Sequence, residues 1–391
     1  MNKGRIINFE WLCDHNHYTP DEFDPILIKL VKNDIDVAVN DGCNIIFGLY
    51  LMDGFLFMQT RHQKVVNVLK ELNSYAISKG IKKVYIVSGQ GEFINPIPLD
   101  HFFIDFNTRM VTNSYKDIEL PKFNPNTNKF LFLTGMPNRD NRIGLMSKLY
   151  EANLLDRCEW TFFPPWTKLD KEWCRNHLSS YDDETYNKFL TDCARSFDNK
   201  FETASLFYGT YNGDTDVVWH DILETEWVNS PTHIDSSVYE STSFSIISEG
   251  PNYWLDDHRF VTEKTWRTLM HRHPFILAGW PDMMDYLKYL GFKTFEEYML
   301  IKDYAYIKDS SERMSAVVKN TEHFLKNMHK NINKITKDVE HNYNLFFEEV
   351  NKQENILNLF ENSYGVPKHE IDYYFNCAGY DRIIRKLPSN I

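Results

Sequence analysis

Long apolar runs, paired cysteines, an apolar leader and an excess of basic charge are all missing from this sequence, and each absence removes a class of protein. No stretch approaches the roughly 18 continuous apolar residues of a membrane span, so no membrane span is expected. The six cysteines (Cys13, Cys43, Cys158, Cys174, Cys193, Cys377) contain no Cys-x-x-Cys pair, which argues against a zinc site or a disulfide framework. The opening Met1-Asn-Lys-Gly-Arg-Ile-Ile7 has neither an extended apolar core nor a small-residue cleavage site. The expectation is therefore no signal peptide and a cytoplasmic setting, the host cytoplasm if the chain is viral. Lys plus Arg number 43 against 55 Asp plus Glu, a net charge of -12, which disfavours a broad nucleic-acid or anionic-membrane surface. One local basic pocket is still allowed.

What is present reads as globular. Hydrophobic residues at 42% and charged residues at 25% exclude wholesale disorder, and 391 residues suggest two or three domains. Apolar runs at 6–12, 44–51, 83–87 and 101–106 read as strands, with a helix over 63–78 stopped by Gly80. Leu120–Lys129, rich in Pro and Asn, reads as a linker. A second set follows: strands over 129–135, 158–163, 243–247 and 274–278, and helices over 142–153, 263–272 and 282–290. Strands separated by helices predict βαβ units and mostly parallel sheets. The stretch from about 170 to 241 is hard to read. Residues 311–362, almost free of Gly and Pro, predict long helices, with Leu325, Met328, Ile332 and Ile335 at helical spacing. The predicted fold class is α/β, with an N-terminal α/β domain over 1–122, a second over 128–308 and a helical C-terminal extension over 309–391.

The chemistry concentrates in one stretch. A buried strand ends at Glu249, a loop of about ten residues follows, and a helix opens at Thr262, a good N-cap. Helix N–H groups beside the Lys264 ammonium make a natural anion pocket. Glu249 and Glu263 lie near the same opening, where carboxylates are unfavourable beside phosphate unless ligand hydroxyls donate to them, as a ribose diol does. Cation plus carboxylates point to a nucleotide; a capped surface helix with an ordinary Glu-Lys pair has the same sequence.

Glu249, then Phe260-Val-Thr-Glu-Lys264, then Pro274-Phe-Ile-Leu-Ala-Gly279 resembles the donor-site signature of the α1,3-fucosyltransferase family. Upstream, Phe132-Leu-Thr-Gly-Met-Pro-Asn-Arg-Asp-Asn-Arg142 is similar to the opening strand, loop and helix of that family's donor domain, where an Arg contacts the diphosphate. Arg142 takes that position best and Arg139 second. In this chain Gly250-Pro251 replaces the family's Asn-Ser, and Phe260 stands where the family has Tyr. The resemblance covers 129–149 and 245–279. It implies two Rossmann-like domains facing across a cleft (the GT-B type), and inverting, metal-independent transfer from a GDP- or UDP-linked sugar. The nucleotide-diphosphate sugar would be a co-substrate, with no other cofactor. The acceptor would be a glycan or other small hydroxyl compound, with a hydroxymethylated base in viral DNA as a variant. Under that resemblance Arg142 and Lys264 stabilise the departing diphosphate, while Arg139, Glu249, Phe260, Thr262 and Glu263 bind the donor. The general base would come from the N-terminal domain, where Asp14, His15 and Glu92 follow strands without matching a family motif.

Competing patterns exist. Asp214-Thr-Asp216 and Asp34-Ile-Asp36 are Asp-x-Asp triplets of the kind metal-dependent transferases use. His15-Asn-His17 and His271-Arg-His273 place imidazoles two apart, on one face only in extended chain. His271 and His273 are expected at a helix end, where positive charge suits the dipole. Ser88-Gly-Gln-Gly91 reads as a tight turn. Tyr253 and Trp254 could line the ligand site, whereas Phe162 and Phe163 read as core. A non-catalytic nucleotide- or sugar-binding protein, or a virion-associated protein on the same fold, is the alternative to an enzyme.

Overall fold

The computed structural model describes residues 2–9, 25–50, 59–88, 99–133, 140–161, 236–249, 261–279 and 281–375. Its strands are β1 (Gly4–Asn8), β2 (Ile45–Tyr50), β3 (Lys83–Ser88), β4 (His101–Phe103), β5 (Phe130–Leu133), β6 (Cys158–Thr161), β7 (Ser245–Ser248) and β8 (Phe275–Ala278). The α-helices are α1 (Pro25–Asn40), α2 (Gln59–Ser78), α3 (Phe106–Ser114), α4 (Asp140–Glu151), α5 (Ser236–Glu240), α6 (Glu263–Met270), α7 (Pro281–Tyr289), α8 (Ser310–Asn327), α9 (Ile332–Asn362) and α10 (Lys368–Phe375). The protein is α/β, and its described residues form two four-stranded sheets whose neighbouring strands are all parallel. No described helix is long and apolar enough to cross a membrane.

The chain divides into two compact units. One holds Met1–Ser114, Tyr253–Val261 and Phe347–Ile391; the other holds Tyr115–Asn252 and Thr262–Phe346. The stretch 309–391, expected as an extension of its own, is divided between the two units at Phe347.

In the first unit the strand order is β1-β2-β3-β4. Right-handed crossovers that always advance in one direction leave their helices on one face of a sheet. That face is Ile7, Phe9, Ile46, Val84 and Ile86, packed with Val31 and Ile35 of α1 and Leu69 and Leu72 of α2. The other face, Ile6, Ile45, Phe47, Leu49 and Val87, needs another cover. It meets Leu357 and Phe360 from the end of α9, Val366, and Ile371 and Phe375 of α10. The buried Arg109 of α3 fastens this cover, donating from Nε to the Phe375 carbonyl at 3.2 Å and from a terminal nitrogen to Glu354 at 2.6 Å. On the edge strand β1, the Ile6 N–H donates to Glu370 Oε2 at 3.0 Å, which blocks pairing with another strand. Gly80, at φ 96°, follows α2 as the sequence predicts.

Gly48 is fixed by close approach. A Cβ there would sit 2.3 Å from the Phe9 ring. Gly48→Ala should cost about 1–3 kcal/mol of stability, the range for overpacking a filled core. Denaturant unfolding measures it, and Phe9→Leu in the same chain should recover part of the loss. An alanine variant as stable as the wild type would show that the ring has room to move.

In the second unit the order is β6-β5-β7-β8. Every residue of β5, β7 and β8 is buried, as parallel strands covered on both faces require. The edge strand β8 is closed by Tyr304, whose hydroxyl accepts from the Leu277 N–H at 2.8 Å. Two buried asparagines latch the loops after α7 onto the long helices. Asn342 of α9 accepts from the Lys293 N–H at 2.7 Å and donates to the Lys293 carbonyl at 2.9 Å. Asn320 of α8 does the same to Ile301, at 2.8 and 3.0 Å.

Two elements differ from expectation. Helix α1 is not among the elements expected from the sequence, although Ile28, Val31, Ile35 and Ala38 recur at helical spacing and face the sheet. Leu325, Met328, Ile332 and Ile335 do not form one stripe, since a 3-10 turn over Met328–Asn331 separates α8 from α9.

Candidate functional site

The second sheet carries the feature that positions a site. From β5 the chain steps outward to β6, then returns to the other side of β5 to form β7 and β8. The direction of winding therefore reverses between β5 and β7. In open parallel sheets, ligands bind outside the carboxyl ends of the strands at this switch point. Arg142 lies in the first turn of α4, the helix that follows β5, and is 6% exposed. Glu249 is the residue directly after β7 and is fully buried.

Helix α6 begins beside Glu249. Thr262 is its N-cap, extended at φ -93° and ψ 179°, and its hydroxyl oxygen accepts from the Lys264 N–H at 3.3 Å. The Thr262 N–H donates to Glu249 Oε1 at 3.0 Å, and the Thr265 hydroxyl donates to the same oxygen. One oxygen of Glu249 thus ties the end of β7 to the first turn of α6. Glu263 and Lys264 form an ion pair at 2.5 Å, with only 15% and 16% of their side chains exposed.

Beneath this pair lies a second, buried cation. Arg267, one turn on from Glu263 and 3% exposed, donates from Nε to the Tyr239 hydroxyl at 2.9 Å. Burial alone would raise the Glu263 carboxyl, but Lys264, with Arg267 behind it, outweighs burial and holds it below the usual carboxylate range. Burial works to lower Arg267, yet the Tyr239 and Tyr115 phenols and Glu263 raise it, so the guanidinium keeps its charge. Burial raises the Tyr239 phenol.

Comparison with protein-family models, curated proteins and solved structures returns no match.

Of the residues singled out in the sequence, Glu249, Thr262, Glu263 and Lys264 come together at one helix start, and Arg142 follows the neighbouring strand. Asp14, His15, His17, Glu92, Arg139, Phe162, Phe163, Asp214, Asp216, Tyr253, Trp254 and Phe260 lie outside the described residues. Among the described residues, no group of three or more His, Cys, Asp or Glu could hold a metal ion. Asp36, from the Asp34-Ile-Asp36 triplet, accepts from the Tyr75 hydroxyl at 2.7 Å and pairs with Lys79 at 3.0 Å.

The two histidines differ from expectation. Only His271 acts as a helix end, capping α6 through its N–H to Arg267 and Leu269 carbonyls and stacking on Tyr239 at 4.0 Å. His273 is a buried, uncharged core group, so no dipole argument applies to it. Burial pushes its imidazole down to about 4. Its Nδ1 lies 2.7 Å from the Ser245 hydroxyl and its Nε2 lies 2.9 Å from the Thr242 carbonyl. Arg272, between the two histidines, adopts φ 54° and turns the chain out of α6.

Arg267 and Thr265 are candidate-site residues that the sequence does not single out. The signal was present: Arg267 follows Glu263 at i+4 and therefore shares its helix face.

Proposed function

We propose that the second unit is the donor-binding half of a glycosyltransferase, which moves a sugar from a nucleotide-diphosphate sugar to an acceptor hydroxyl. In this reading the chain is of the GT-B type, the first unit serves the acceptor, and transfer is inverting and metal-independent. One observation carries the proposal. Arg142, Glu249, Thr262, Glu263 and Lys264 all sit on the segments that follow β5 and β7, the two strands at the switch point. The resemblance to the α1,3-fucosyltransferase signature falls on the same segments.

The roles follow from the chemistry. Arg142 offers a planar fork of donors suited to phosphate oxygens, and Lys264 a compact ammonium. Both would stabilise the negative charge that develops on a departing diphosphate. Glu263 can accept from ribose or sugar hydroxyls. Glu249 supports the site from within, because one carboxylate oxygen is committed to Thr262 and Thr265.

A panel of nucleoside diphosphates should raise the melting temperature of the full chain, with GDP or UDP the strongest. Donor hydrolysis, or transfer to a glycan or to hydroxymethylated DNA, then separates an enzyme from a binding protein. No shift with any nucleotide would defeat both readings.

A further inference from the structure

N–H groups at the start of α6 already have partners within the protein. They go to Glu249 from Thr262, to the Thr262 hydroxyl from Lys264, and to the Thr262 carbonyl from Thr265 and Trp266. The Lys264 ammonium is held by Glu263 at 2.5 Å. An anion arriving here does not meet an open helix end. It meets a shielded ion pair. We propose that Glu263 is the resident counter-ion of a phosphate site, displaced from Lys264 by the incoming diphosphate and then retained by Arg267.

This counter-ion role rests on the proposed function above and deepens it. A pair with about 15% side-chain exposure is only partly screened by water, so Glu263 competes with any other anion for Lys264. A carboxylate carries one negative charge and a terminal phosphate more than one, so an anion of that class can win the exchange. The displaced carboxylate is not stranded, because Arg267, buried one turn on along the same helix, also acts on it, though less than Lys264 does. Tyr239 holds Arg267 in place from the other side, at 2.9 Å. Nothing covalent changes; a phosphate oxygen replaces a carboxylate oxygen on the ammonium.

Inorganic pyrophosphate isolates this exchange, since it lacks the hydroxyls that Glu263 could bind in a nucleotide. Titration calorimetry on the full chain should show that Glu263→Gln binds pyrophosphate about fivefold more tightly than the wild type, the value of one such ion pair. Lys264→Met should abolish binding in both backgrounds. A Glu263 whose charge does not reach the phosphate site would produce no gain in affinity. If Glu263→Gln does not fold, Glu263→Asp, shorter by one methylene, should show a smaller gain in the same direction. Equal or weaker pyrophosphate binding by the folded variant, with the wild type binding, overturns the counter-ion role and leaves the nucleotide reading standing. Binding by Glu263→Gln alone supports the exchange. Silence of both proteins toward pyrophosphate and every nucleoside diphosphate overturns the inference together with the reading it rests on.

Discussion

Replacing Lys264 with alanine should weaken nucleoside diphosphate binding by about a hundredfold, and Arg142→Ala should do the same. The reason is the surroundings of the two cations. Lys264 has 16% of its side chain exposed and Arg142 is 6% exposed, so a phosphate reaching either would be largely removed from water. Charge-assisted hydrogen bonds formed there are stronger than exposed ones. The thermal readout is steep: ligand at a hundred times its Kd stabilises by about 2.7 kcal/mol, and a hundredfold weaker ligand at that concentration by only about 0.4 kcal/mol. Lys288→Ala is the control, since Lys288 lies on α7 and pairs with Glu296 at 2.6 Å. It should leave the nucleotide shift intact. Arg142→Lys separates charge from shape: partial retention of binding means that the cation matters, and full loss means that the planar fork does. Wild-type affinity in either alanine variant would remove that residue from the site.

The start of α6 was legible because its signals are local. Thr262 as cap and Lys264 beside Glu263 are decided within three residues, and the structure places them as that spacing requires. The inward commitment of Glu249 was not legible. It depends on Thr265, sixteen residues on, and on the full burial of the carboxylate, which no short window reveals. The switch point was hidden for a similar reason. Periodicity marks β5 and β7 as strands, yet their pairing through Leu131 and Ser245 joins positions more than a hundred residues apart.

The C-terminal helices show the same boundary between local and distant information. An amphipathic pattern says that Leu357 and Phe360 are buried, but not on what. Only the constant winding of the first sheet explains their destination, because that winding leaves one face uncovered by α1 and α2. The long apolar stripe from Leu325 to Ile335 was misleading, since helical spacing continues in register across the turn at Met328–Asn331.

Among the described residues, His273 carries the largest expected effect of acid on stability. Its folded imidazole accepts a proton only near pH 4, whereas the unfolded side chain does so near 6.5. Between those values the unfolded chain binds more protons than the folded one, so stability rises with pH across that window and is complete above it. Acidification from pH 6.5 to 4 should therefore remove about 3 kcal/mol at this site, at about 1.36 kcal/mol per pH unit. The cause is local: the ring is 2% exposed, its Nε2–H donates to the Thr242 carbonyl, and its Nδ1 accepts from Ser245. A second proton has no water to face. Glutamine at 273 presents an amide N–H near the position of Nε2 but cannot titrate. His273→Gln should be less stable than the wild type at pH 7.5 and lose less stability on acidification, so the two denaturation midpoints converge toward pH 4. Parallel midpoints across that range would show that His273 does not carry the acid sensitivity of the fold.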